Sequence, residues 1–212
     1  EARWQLMLTD CLLPKFRIFR PVGSDIALIT DKLLELTEHQ AHAFEGLYAQ
    51  KRVLVEGVAG SGKTFLALQR AVTFAKQGEH VLFVCYNKEL AAWLRSQVDT
   101  DPSLSCCRKF LAVRTFHALS SEIASQARIP FKPAGGGPLT EHFWDNEVPD
   151  LLEQAVLVLE GMGRRVRYEA LVVDEAQDFS VEWWYALTQS LLATSEAPIY
   201  AFMDPNQSLR GV

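Results

Sequence analysis

The chain has 212 residues, 49% hydrophobic and 22% charged, with a formal net charge of −5. That balance excludes a disordered polypeptide and a protein that coats nucleic acid with a wholly basic surface, while leaving room for a local binding groove. Four cysteines, Cys11, Cys85, Cys106 and Cys107, lack C-x-x-C spacing; with no membrane-length apolar run and no signal-peptide pattern, the expectation is free thiols in a reducing, cytoplasmic compartment, with no membrane partner.

Residues 1–36 carry Trp4, Leu12, Leu13, Phe16, Ile18 and Phe19 without a clean period, and Pro14 and Pro21 interrupt any long element. They read as an extension packing onto the core or the remnant of an upstream domain, and a start at Glu1 without methionine reads as a fragment. From Thr37 the pattern sharpens: Thr37 followed by Gln40 resembles a capping box, and Ala43, Phe44 and Leu47 continue a helical face.

The run Lys51–Thr64, KRVLVEGVAGSGKT, is the most informative segment. An apolar strand, Val53 to Val55, feeds a glycine-rich loop, and Phe65, Leu66, Leu68, Ala71, Val72 and Ala75 then recur at helical spacing. Strand, loop and helix in that order form a phosphate cradle. Gly57, Gly60, Ser61 and Gly62 shape a backbone whose N–H groups point inward. Lys63 brings a positive charge to the β and γ phosphates of a nucleotide, and Thr64 offers a hydroxyl to Mg²⁺.

Further strands are expected at Val81–Cys85, Phe110–Val113, Leu171–Val173 and Ile199–Phe202, separated by helices. This is a βαβ rhythm, and with the phosphate loop it predicts an α/β fold, a P-loop NTPase whose parallel sheet is covered by helices on both faces. Residues 128–167 break the rhythm with PFKPAGGGP and a helix over Asp150–Leu159, and read as a small helical insertion in a lobe spanning 37–212. Arg164, Arg165 and Arg167 beside it read as a solvated cluster.

Two sets of residues follow strand tips at the ligand edge of such a sheet: Tyr86, Asn87 and Lys88, then Thr115, Phe116 and His117. Aromatic platforms with nearby donors suit a single nucleic-acid strand, whereas the plainer reading makes Tyr86 and Phe116 core aromatics. In LVVDEAQD, Leu171 to Asp178, an apolar strand ends in two carboxylates. Asp174 is placed to hold Mg²⁺ opposite Thr64, and Glu175 to orient or deprotonate the water that attacks the γ-phosphate.

In chain order these segments resemble the superfamily 1A helicases of the UvrD and Rep type. LTEHQ looks like the Q motif, whose glutamine, Gln40 here, reads adenine; GVAGSGKT resembles motif I, VLFVCYNKELAAWLRSQ motif Ia, VRTFHAL motif Ib, DEAQD motif II and AFMDPNQSLRG motif III. The resemblance covers Thr37 to Gly211, and VLFVCYNKELAAWLR is most similar to helicases that carry a nuclease-related domain upstream. It implies that Gln207 senses the γ-phosphate, making Lys63, Glu175 and Gln207 the catalytic set. Motif III departs from the family in Met203, where glycine is usual, and in Arg210, where a base-stacking tyrosine is usual; an arginine plane can still meet a base or a phosphate.

The resemblance implies the first motor lobe of an ATP-dependent DNA helicase or translocase, with ATP and Mg²⁺ as ligands, single-stranded DNA as the track (RNA remaining an alternative), and a second RecA-like lobe of the same protein as partner. That second lobe is not within this chain. Arginines from it would complete the hydrolytic site, so the isolated fragment is expected to bind nucleotide better than it hydrolyses it. A nucleotide-gated binding module without unwinding is the alternative. A small-molecule kinase is a third reading, for which no acceptor pocket is legible.

Overall fold

The computed structural model describes residues 15–18, 50–133 and 138–207. Among the described residues six parallel strands form one sheet: β1 (Lys15–Ile18), β2 (Arg52–Gly57), β3 (Val81–Cys85), β4 (Leu111–Thr115), β5 (Ala170–Val173) and β6 (Ile199–Met203), in the order β1-β2-β6-β5-β3-β4. Parallel strands need long crossovers, and helices supply them. These are α1 (Lys63–Lys76), α2 (Lys88–Thr100), α3 (Phe116–Gln126), α4 (Val148–Gly161) and the short α5 (Val181–Tyr185).

β3, β5 and β6 are near-continuous apolar runs because both faces are covered. Alternation along the strands sorts side chains cleanly between the two. Val53, Val55, Phe83, Cys85, Val172, Tyr200 and Phe202 pack with α1 and α2 on one face. Leu54, Leu82, Val84, Leu171, Val173, Ala201 and Met203 pack with α3, α4 and the Phe179–Leu187 segment on the other. Each buried Val, Leu, Phe or Met among them contributes about 1.5–3 kcal/mol against exposure.

The expected strands are found, and the observed α/β architecture is that of a RecA-like P-loop domain. Two details differ. β4 runs to Thr115 rather than stopping at Val113, since polar Arg114 and Thr115 continue the register opposite Val84 and Cys85. β1 was not foreseen: Lys15–Ile18 pairs in parallel with Leu54–Gly57 at the sheet edge, joining part of the N-terminal stretch to the core. Met203, where the family has glycine, ends β6 as a buried core residue. The expected helix of residues 128–167 extends over Val148–Gly161 and covers one sheet face.

Strand order places the tip of β6 between those of β2 and β5. The glycine loop after β2, the carboxylates after β5 and the Asp204 turn after β6 therefore meet at one sheet edge, where parallel α/β sheets bind ligands. Among the described residues no helix is long and apolar enough to cross a membrane.

Candidate nucleotide site and strand groove

β2 ends at Gly57, and the chain then turns through Gly60 (φ 71°) and Gly62 (φ 86°), left-handed conformations that cost a side-chain-bearing residue about 1 kcal/mol. Gly57 itself ends the strand without a left-handed φ, so the bend rests on the other two. Gly62 caps α1 without a side-chain hydrogen bond, leaving the helix N-terminus to the loop and to an anion. The Lys63 ammonium is buried and donates to the carbonyls of Gly57 (2.8 Å) and Val58 (3.1 Å). The loop thus holds the cation that phosphates would attract. Ser61 Oγ is buried with no partner among the described residues.

Asp174, at the tip of β5, is fully buried. Its Oδ1 accepts from the Glu175 N–H (3.0 Å), while Oδ2 has no partner among the described residues. Burial pushes the Asp174 carboxyl up to about 6, and the adjacent Thr64 hydroxyl and Lys63 charge only partly counter it. Lys63, Thr64 and Asp174 thus come together. An orphaned buried carboxylate oxygen beside a P-loop threonine is a donor set that fits Mg²⁺: Thr64 and Asp174 would hold the ion, which neutralises phosphate charge when bound.

Glu175 is held at φ 53°, a left-handed conformation uncommon for glutamate. Three bonds maintain it: its N–H on Asp174, its carbonyl accepting from the Asp178 N–H (3.0 Å), and its Oε2 accepting from Gln177 Nε2 (2.6 Å). Strained backbone fixed in this way is typical of a functional position. The other end of the Gln177 amide accepts from the Asp204 N–H (3.1 Å), and the Asp204 carbonyl accepts from the Gln207 N–H (3.2 Å). A hydrogen-bonded path therefore runs from the Glu175 carboxylate through Gln177 to the turn that carries Gln207.

Next to Glu175 opens a groove of about 1,090 Å³. Its lining includes Tyr86, Asn87, Lys88, Thr115 and His117 together with Glu175, Gln177 and Gln207. Asn87 and Thr115 also cap α2 and α3, accepting from Leu90 N–H (3.0 Å) and Ala118 N–H (3.2 Å), each cap worth about 1 kcal/mol. Phe116, expected among the strand-binding residues, does not reach the groove: it is fully buried and stacked on Trp183 at 4.3 Å. Successive residues of a helix point about 100° apart, so Phe116 turns into the core while His117 faces the groove.

An AAA domain family model matches residues 40–211, most of the chain. The chain belongs to the AAA domain family. It is a nucleotide-binding P-loop module of the helicase-associated kind. No curated protein matches it.

In this AAA domain Gln40 and Arg210 lie outside the described residues. Arg165 and Arg167 sit away from the groove and are paired with Glu169 and Glu160. Cys85 is buried beside the site, its thiol pushed up to about 12 by burial and then by Asp174, so it is no nucleophile. Sequence reasoning assigned no role to Gln177, although its place between the carboxylates and Asp178 was a usable signal. It also passed over Trp144, which lines the groove from residues 128–167. No local motif marks that position.

Proposed function

We propose that this AAA domain is the first motor lobe of an ATP-dependent DNA helicase or translocase, binding Mg-ATP and single-stranded DNA and coupling hydrolysis to strand movement. The observation that carries this reading is that one groove is lined both by Tyr86, Lys88 and His117 and by Glu175 and Gln207. A strand lying on the first group touches the wall that holds the hydrolytic carboxylate. Lys63 exchanges its loop carbonyls for the β and γ phosphates. Glu175 takes the proton of the water that attacks the γ-phosphorus, as the bond to the β–γ bridging oxygen breaks. Gln40 reads adenine, Gln207 senses the γ-phosphate, and Arg210 meets the strand. A second RecA-like lobe of the same protein closes over the nucleotide and supplies the missing cation. Opening and closing of the two lobes moves the strand, a domain-closure cycle.

The test is the ATPase rate of the full-length protein with and without oligo(dT). Stimulation of about tenfold or more is expected, the ratio that roughly 1.4 kcal/mol of transition-state coupling produces. Lys63→Ala should lower both rates by about 10²–10³, as loss of a donor to developing charge does. Equal rates with and without strand would support the nucleotide-gated module instead.

Gln177 is a positioning residue in this scheme. Gln177→Ala removes a bond to a charged carboxylate and leaves the Asp204 N–H without its acceptor. Strand-stimulated turnover should fall roughly 10- to 100-fold, with nucleotide affinity nearly unchanged. Measuring kcat beside equilibrium binding of a fluorescent ATP analogue separates the two; an equal loss in both would assign Gln177 to nucleotide binding.

A further inference from the structure

Trp144 lies in a π-helical turn, Phe143–Glu147, that leads into α4. Such wide turns shift the side chains that follow out of α-helical phase and concentrate at functional positions. Here the turn is anchored by the core, since Phe143 is buried and the Trp144 carbonyl accepts the indole N–H of fully buried Trp183 at 2.9 Å. The Trp144 side chain stays half-buried. It lines the same groove as Tyr86, His117 and Glu175. Its ring meets His117 at 4.2 Å and 70°, and Phe131 at 5.5 Å. His117 in turn stands at 88° to Trp183, so an aromatic wall reaches from the core to the groove surface.

A half-buried indole held on a rigid backbone at the margin of a largely apolar groove presents a face on which a flat group can stack. We propose that Trp144 is a base-stacking residue of the strand groove, contributed by the helical insertion: a nucleobase lies on the indole while Lys88 and Asn87 meet the adjoining phosphates. Stacking of this kind tolerates any base, because every base presents a π face. This inference rests on the strand-binding reading above and goes beyond it by naming a contact from outside the motif segments.

The experiment compares full-length protein with Trp144→Phe and Trp144→Ala in binding two fluorescently labelled strands of equal length, oligo(dT) and an abasic oligonucleotide. Trp144→Ala should weaken oligo(dT) binding roughly five- to hundred-fold, the range for loss of one stacked base. Trp144→Phe should recover most of it. The abasic strand should bind wild-type and Trp144→Ala protein alike, and affinity for a fluorescent ATP analogue should not change. Equal loss on both strands would show a merely structural role, and no loss on either would show that bases do not reach the indole; both overturn the proposal while leaving the strand-binding reading standing. If wild-type protein bound neither strand, that reading would fail and the stacking role with it.

Discussion

Glu175→Gln is expected to lower strand-stimulated ATP hydrolysis about 10²–10⁴-fold, the usual contribution of a positioned general base. The substitution is nearly isosteric. A glutamine carbonyl oxygen can still accept from Gln177 Nε2, the bond that measures 2.6 Å to the carboxylate. The backbone bonds that hold φ at 53° do not involve the side chain of residue 175. What disappears is the capacity to take a proton, together with one negative charge at the edge of the nucleotide site. Nucleotide affinity should therefore stay level or tighten, since less charge faces the triphosphate. Single-turnover hydrolysis beside equilibrium binding checks both halves. A variant hydrolysing at the parental rate would remove Glu175 from the role of base, and a variant that lost nucleotide binding would point to collapse of the strained turn instead.

What could be read from the sequence follows the physics of each element. β3, β5 and β6 are buried on both faces and are uninterrupted runs of apolar residues, and β2 holds such a run at Val53 to Val55, so none needs a partner to be recognised. The glycine loop was legible because Gly60 and Gly62 carry a conformational requirement that few other residues meet. β1 was not, because four residues of mixed polarity between prolines carry no period; their strand character comes from backbone pairing with β2. The aromatic wall was equally hidden. Phe116, Trp144 and Trp183 are distant in sequence and are brought together only by folding, so no local spacing announces them. Phe116 shows how such a reading goes astray: it shares a segment with His117, yet the start of α3 turns one side chain into the core and the other into the groove.

Asp174→Asn is expected to stabilise the protein while abolishing the chemistry that needs a charged carboxylate. The cause is the burial that raises the Asp174 carboxyl from its ordinary 3.8 to about 6. Between those values the folded state holds a proton that the unfolded state releases, so stability falls as pH rises from about 4 to about 6 and stays lowered above it. The wild-type protein, without nucleotide or divalent cation, therefore carries a penalty on the order of 3 kcal/mol at neutral pH. Asparagine keeps an oxygen for the Glu175 N–H, places an amide where the Thr64 hydroxyl can accept, and has no charge to bury. Its unfolding temperature near pH 7.5 should rise by about 6–12 °C, given roughly 2–4 °C per kcal/mol for a unit of this size. Near pH 4 the two proteins should melt almost together. Adding Mg-ATP should reverse the order, because ligand binding stabilises the wild type in proportion to its affinity and the variant binds the metal–nucleotide pair poorly. Calorimetric melts across pH, with and without Mg-ATP, test each step; an unchanged or lower melting temperature for Asp174→Asn at neutral pH would mean that Lys63 and Thr64 already offset the burial of the charge.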